Sequence, residues 1–343
     1  MKLIRKPLLS AVSMLGSALR LEHLTDSTGY KLILPFYHLA TDAQPPHIRH
    51  LYIPKNIRAF EAETDYLLKH YNPLDLSDLY DVIKNGKTVE KPSFFLSFDD
   101  GLSEFHDIVA PILYRKGIPC ACFLNSAFTD NKDLFYRYKV SLLIDFFSNN
   151  PSVVSNIISN EVVSKLNGKT LTQKLLSINY LNRYILDTVA VESGIDFGHY
   201  LKNNKPYMNS DQILSLIAKG FYFGAHSIDH PRYSLLTEDD QLVQTITSIQ
   251  WVRNKFNLPY SIFAFPFTDD GVHTSFFRAL DNVSNQNLIT FGTSGLKSDP
   301  VHNHFQRLSM KSNGYDTETH IKTEYIYYIL KSWLNKNIIK RHD

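Results

Sequence analysis

Apolar runs too short to be helices recur along this chain with amphipathic stretches between them, and that alternation restricts the fold more than any other feature. Ser93 to Phe98 reads as a strand, Glu104 to Lys116 as a helix stopped by Gly117, and Ile118 to Leu124 as the next strand. The pattern returns as a helix from Asp211 to Lys219, a strand from Phe221 to Ala225, a helix from Glu238 to Phe256 and a strand from Ser261 to Phe267. Strands joined by helical crossovers lie parallel, because each crossover returns the chain to the same end of the sheet. The fold class expected is therefore α/β with a parallel sheet. Tyr30 to Leu39, YKLILPFYHL, is a further buried-strand pattern that delivers His38 at its end. From about Asn131 to Tyr207 only helical periodicity is visible, as at Val140 to Phe147 and Leu171 to Thr188, which predicts a helical insertion. The last helix, Glu324 to Lys336, is expected to pack on the outside of the sheet, with Trp251 and Trp333 as helical core residues.

A chain of 343 residues fits one barrel with an insertion, or two compact domains. We divide it into an N-terminal helical extension, residues 1–29, and a barrel unit, residues 30–343, interrupted by the helical insertion at about 131–207. Thirty-six basic against 34 acidic residues leave a net charge of +2 with no long Lys/Arg run, so nucleic acid is not an expected partner. Cys120 and Cys122 stand two apart on a strand, where they face one side and cannot pair well, so they read as buried thiols of a reducing compartment. The opening MKLIRKPLLSAVSMLGSALRL reads either as a secretory signal or as an amphipathic helix. Spacings of four and three among Ile4, Leu8, Val12, Leu15 and Leu19, interrupted by serines and Arg20, favour the helix, and with it a peripheral membrane contact. Localisation leans to the cytoplasm or a membrane surface, and cleavage of a signal stays open. No apolar run is long enough to span a bilayer.

Three adjacent Asp pairs occur, and context separates them. Asp239 and Asp240 open a helix, where acids suit the positive end of the dipole. Asp99 and Asp100 instead end a buried strand just before Gly101, at the end of a parallel sheet where chemistry is displayed. Two carboxylates in an apolar setting repel each other unless a metal or cation offsets them. His226 and His230, four apart in GAHSIDHP, also follow a strand and can share one ion, although histidines this close also arise in ordinary loops. Two imidazoles and one carboxylate form a facial triad with room for water and a substrate carbonyl, leaving the other aspartate free as a base. No second cluster with ligand spacing is visible, so one divalent ion per chain is expected.

FFLSFDDG followed by GAHSIDHP resembles the NodB-homology polysaccharide deacetylases, carbohydrate esterase family four, over about Tyr30 to Leu308. The resemblance implies a distorted (β/α) barrel carrying the helical insertion, and hydrolysis of N-acetyl or O-acetyl groups on a polysaccharide or other glycan. It implies Asp100, His226 and His230 as ligands of one divalent metal, with zinc favoured by the ligand types, Asp99 as general base, and Ser227 as a support of the loop. The family's R-x-P-Y motif stands here as Ala264, Phe265, Pro266 and Phe267, so the arginine that pairs with the base is missing, while the N–H of Phe267 is retained as an oxyanion donor. Arg307 or Arg232 would have to supply that cation. Neither the later Asp/Trp motif nor a C-terminal L-x-H motif is present. Asp269 and Asp270 belong to a turn or to the cleft lining. His38 resembles the Y-H element of family members whose last motif is permuted to the N-terminus, which implies His38 as general acid, with His302 and His304 as rivals. The competing function is a non-catalytic glycan-binding protein on the same fold.

Overall fold

The structure is a computed structural model that describes residues 7, 10, 11, 14, 19–84, 89–283, 288–310 and 314–342. Ile4, Leu8, Val12 and Leu15 of the expected amphipathic helix lie outside the described residues. A helix at Leu21–Thr28 precedes the first strand. Among the described residues eleven short strands follow: β1 (Leu32–Ile33), β2 (Pro35–Tyr37), β3 (Asn72–Pro73), β4 (Ser93–Phe94), β5 (Leu96–Phe98), β6 (Cys120–Leu124), β7 (Tyr222–Ala225), β8 (Ser261–Ala264), β9 (Leu288–Gly292), β10 (His304–Gln306) and β11 (Leu308–Ser309). The main sheet has the order β10-β9-β8-β7-β6-β5-β2-β11 with every pairing parallel, and β1, β4 and β3 form a small parallel sheet beside it.

β10 and β11 stand at opposite edges of that order yet are separated in the chain by Arg307 alone. One run of chain therefore pairs with β9 through its first half and with β2 through its second, and the sheet closes on itself as a distorted α/β barrel. Arg307 N–H still reaches Gly292 O, whereas Leu308 N–H reaches Leu34 O, so the exchange of partners occurs within one residue. Closure removes the open edges that a parallel sheet would otherwise expose.

The two long apolar patterns are each split. Tyr30 to Leu39 becomes β1 and β2, interrupted just before Pro35, and Ser93 to Phe98 becomes β4 and β5. In both, the first piece joins the small sheet and the second joins the barrel. Cys120 and Cys122 are free, buried thiols in one apolar cluster, while Ala121 and Phe123 face another, as strand alternation requires. Burial pushes both thiols well above their ordinary pKa, which leaves them as inert core groups.

The helix-only region contains the helix Tyr136–Asn149 and several shorter helices, among them Leu171–Ser177, Ile185–Ser193 and Phe197–Asn204, which share an apolar cluster with Leu39, Ile48 and Leu102 of the barrel rim. Its ends clasp each other: Asn131 Nδ2 donates to Tyr207 O and Tyr207 N–H donates to Asn131 Oδ1, each at 2.9 Å. The closing helix, Thr317–Trp333, packs Ile321 and Tyr325 onto the barrel exterior. Trp333 departs from expectation. It is 76% exposed, because it falls at the last turn, beyond the part of the helix that meets the barrel.

Candidate functional site

The carboxyl ends of the strands converge on one cleft of about 220 Å³, lined in part by His38, Asp99, Asp100, Tyr138, His230 and Phe267. β5 delivers the aspartates, β7 delivers His226, and the turn after β8 delivers Phe267. Asp100 has φ +75° and Gly101 φ +65°, two successive left-handed residues that turn the chain sharply off the strand. A side chain at Gly101 would also strike the Leu124 side chain, so glycine is required there twice over. Ser227, His230 and Phe267 are left-handed as well, with φ +70°, +61° and +57°. Such conformations cost roughly 1–3 kcal/mol each in non-glycine residues and persist where the surroundings impose them.

His226 Nε2 stands 3.7 Å from Asp100 Oδ1, and His230 Nε2 stands 3.3 Å from the same oxygen. Asp100 Oδ1 and His230 Nδ1 are buried without a hydrogen-bond partner among the described residues. A tetrahedral ion with bonds of about 2.0–2.1 Å holds its ligand atoms about 3.3 Å apart, so the spacing suits a zinc-sized cation. An orphaned buried carboxylate oxygen is costly unless a cation completes it, and the ligand atoms of Asp100, His226 and His230 all lie within 4.8 Å of one another. The donor set therefore fits one divalent ion.

The surroundings set the protonation states that such an ion needs. His226 Nδ1 lies 2.7 Å from Ala264 O, which fixes the proton on Nδ1 and leaves Nε2 as the ligand atom. Burial foremost, with help from His230 and Arg307, pushes the His226 pKa down to about 4, so the ring is neutral at ordinary pH. Burial works to raise the Asp100 carboxyl, but His230, His38 and His226 together outweigh it and hold the group well below the usual carboxylate range. Tyr138, from the helix Tyr136–Asn149, donates to Asp100 Oδ2 at 3.2 Å. Ser227 Oγ accepts from His230 N–H at 3.0 Å, and Asn125 Nδ2 donates to His226 O, so the loop is tied from two sides.

Asp99 is held differently. Arg307 grips it in bidentate fashion, Nη1 to Oδ1 at 2.7 Å and Nη2 to Oδ2 at 2.8 Å, and also donates to Ser97 Oγ and Gly292 O. The guanidinium lies 4.3 Å from the centroid of the Phe36 ring and is 1% exposed. Burial would raise the Asp99 pKa, yet Arg307 first and His226 second bring it below its ordinary value. Of the two arginines weighed from sequence, Arg307 thus stands on Asp99, whereas Arg232 lies over the ring of Phe267 at 5.5 Å.

His38, half-buried at the end of β2, lines the cleft, and its positive form would favour ionisation of both aspartates. Beyond it an adjoining cavity of about 310 Å³ shares Phe36, His38 and Tyr52 with the cleft and continues to Ile53 and Met310. Phe267 is partly exposed, packs its ring against His230 at 4.6 Å, and its N–H bonds to no other described residue. The rival histidines lie elsewhere: His302 is exposed on Ile83 O, and His304 is buried between Thr290 Oγ1 and Asp269 Oδ2.

A second group with ligand spacing does exist, contrary to the sequence reading: Asp269, Asp299 and His304. Asp299 and His304 stand five apart, but Asp269 comes from thirty residues earlier, so no single local spacing displays the group. Arg341 already occupies it, with Nη2 2.6 Å from an oxygen of each aspartate, so its charge is balanced by a side chain. This network also places Asp269 away from the cleft lining, as a buried anchor of the turn that carries Phe267.

No sequence family and no curated protein sequence matches the chain. Solved structures do. The Streptococcus pyogenes deacetylase PplD, solved in complex with acetate, superposes with a TM-score of 0.54 at 12% identity, over 86% of this chain and 98% of that one. IcaB from Ammonifex degensii gives 0.53 at 13%, over 87% and 97%. The chain has the fold of these proteins. At that identity the likeness speaks for the barrel and its course, and the case for chemistry rests on the side chains above.

Sequence reasoning did not single out Tyr138 or Asn125. Asn125 carries the same signal as Asp99, a polar residue directly after a buried strand. Tyr138 carries none, because its distance from the motif in sequence hides its contact with Asp100.

Proposed function

We propose that this chain is a metal-dependent hydrolase that removes acetyl groups from amino sugars of a glycan. The observation that carries the reading is the pairing of opposites in one cleft: a triad of Asp100, His226 and His230 spaced for one cation, beside an Asp99 already neutralised by Arg307. A structural metal brace would need the first and has no use for the second.

When bound, a divalent ion, with zinc favoured by the ligand types, polarises the acyl carbonyl and acidifies a water. Asp99 takes the proton of the attacking water. Arg307 occupies two of the carboxylate's four lone-pair directions and leaves two for that proton, while keeping the group ionised and fixed. Its lowered pKa keeps Asp99 ionised, and so able to accept a proton, well into the acid range. The N–H of Phe267 donates to the oxygen that gains charge, its direction set by the left-handed turn. His38 delivers the proton that the leaving amine requires. The cavity beyond His38, with Tyr52 and Ile53, receives the neighbouring sugar, since rings and apolar edges suit the faces of pyranoses.

Mass spectrometry of a panel of N-acetylated and O-acetylated oligosaccharides after incubation tests the proposal. Loss of acetyl from at least one N-acetylated member is expected. Binding without any mass change would instead establish a glycan-binding protein, and turnover only of unrelated small amides would move the substrate class.

A further inference from the structure

The end of the last helix and the tail after it form a surface that the chemistry above does not use. Trp333, Leu334 and Ile338 are 76%, 65% and 55% exposed and line one open groove of about 600 Å³. Lys297, Lys331, Lys336 and Lys340 stand around it, and no acidic side chain is among its described lining residues. Large apolar side chains ringed by a single sign of charge are unusual on a free surface. The lysines also crowd one another: burial first, and Lys331 next, bring the Lys297 pKa below its ordinary value, with Asp270 only a minor opposing influence. Such a rim favours an anionic partner.

A second feature points the same way. The helix Leu21–Thr28 shares a core with Ile321 and Tyr325 of the helix that ends in Trp333. The sequence leading into it, residues 1–20, carries Lys2, Arg5, Lys6 and Arg20 and no acid. Two basic segments rich in large apolar residues are therefore joined to one helix pair.

We propose that the Trp333–Lys340 surface seats the protein on an anionic lipid bilayer. Trp333, Leu334 and Ile338 enter the interface while the lysines meet the headgroups. Tryptophan suits this depth because its ring is apolar and its N–H polar. A lysine beside an anionic surface contributes about 1 kcal/mol, or roughly fivefold in partition, and salt weakens it.

Flotation of the full chain with vesicles of phosphatidylcholine, alone or with phosphatidylglycerol, tests the proposal. Partition into the anionic vesicles is expected, weaker into neutral ones and falling with salt. Lys336→Gln with Lys340→Gln should lower it roughly 30-fold, and Trp333→Ser should lower it as well. In a Trp251→Phe background the remaining emission, from Trp333, should shift to the blue on anionic vesicles. All of these variants should deacetylate a soluble oligosaccharide as the parent does, so failure of this proposal is separable from failure of the catalytic one. Absence of partition would overturn it. So would partition unchanged by the variants, which would place binding in residues 1–20 alone. A dimer formed without vesicles and lost on Trp333→Ser would make a second copy the occupant instead.

Discussion

Asp99 and Asp100 are neighbours in sequence with opposite surroundings, and the separate tasks proposed for them rest on that. Asp100 has an orphaned oxygen facing two imidazoles, whereas both oxygens of Asp99 are held by Arg307. Asp99→Asn should therefore keep the metal and lose most turnover, while Asp100→Asn should lose both, as read by metal content and initial rate. Equal metal loss in the two variants would reverse the assignment. Arg307→Gln would leave a buried carboxylate unpaired, costing about 3–5 kcal/mol of stability. It should also raise the Asp99 pKa, so that the acid limb of the kcat/KM profile moves to higher pH; an unmoved limb would detach Arg307 from the base. His38→Ala should lower turnover by about 10²–10⁴-fold with metal content intact, and abolish the alkaline limb. Near-normal turnover there would remove His38 from proton transfer. The meeting of Asp100, His226 and His230 was legible in sequence because Asp99-Asp100 and His226 lie at the carboxyl ends of β5 and β7, and His230 sits in the loop that His226 opens. The role of Arg307 was legible only as one of two options, since its partner is far away in the chain.

At the scale of elements, the barrel seam and the insertion decide the site. The exchange of partners places Arg307 between β10 and β11, where the chain crosses from β9 to β2 and its side chain reaches Asp99. β9, β10 and β11 gave little signal, because strands of two to five residues with polar members such as His304 and Gln306 lack a clear period. The helix Glu238–Phe256, by contrast, was legible to the residue, with Thr237 as its cap. The insertion touches both motifs. Tyr138 donates to Asp100, and Tyr180 donates to Asp229 between the two histidines. Tyr138→Phe removes only the hydroxyl from Asp100 Oδ2. It should weaken zinc binding by about 10–100-fold in a calorimetric titration while the fold is kept. Unchanged affinity would make the insertion a neighbour of the site without influence on it.

For the whole molecule, burial of neutral histidines should make the metal-free protein acid-labile. Burial brings both His47 and His226 down to about 4. An unfolded histidine takes its proton near pH 6.5, so between about 4 and 6.5 the unfolded chain binds more protons and stability rises with pH. Each contributes up to roughly 3 kcal/mol across that window. The depressed Asp99 and Asp100 act in the same direction at lower pH, their stabilisation being lost as pH falls through their folded values. The urea midpoint of metal-free protein should thus fall from pH 6.5 toward 4 and change little above 7. His47→Gln should flatten the slope, and a slope it leaves unchanged would mean that other groups carry the effect. The central claim, that one ion in this triad enables glycan deacetylation, is tested most directly by titrating zinc into metal-free protein while bound metal and released acetate are followed together. Acetate release should rise in proportion to bound metal and stop rising near one ion per chain. Undiminished release from metal-free protein, or a filled site that releases none from any acetylated glycan, would contradict it.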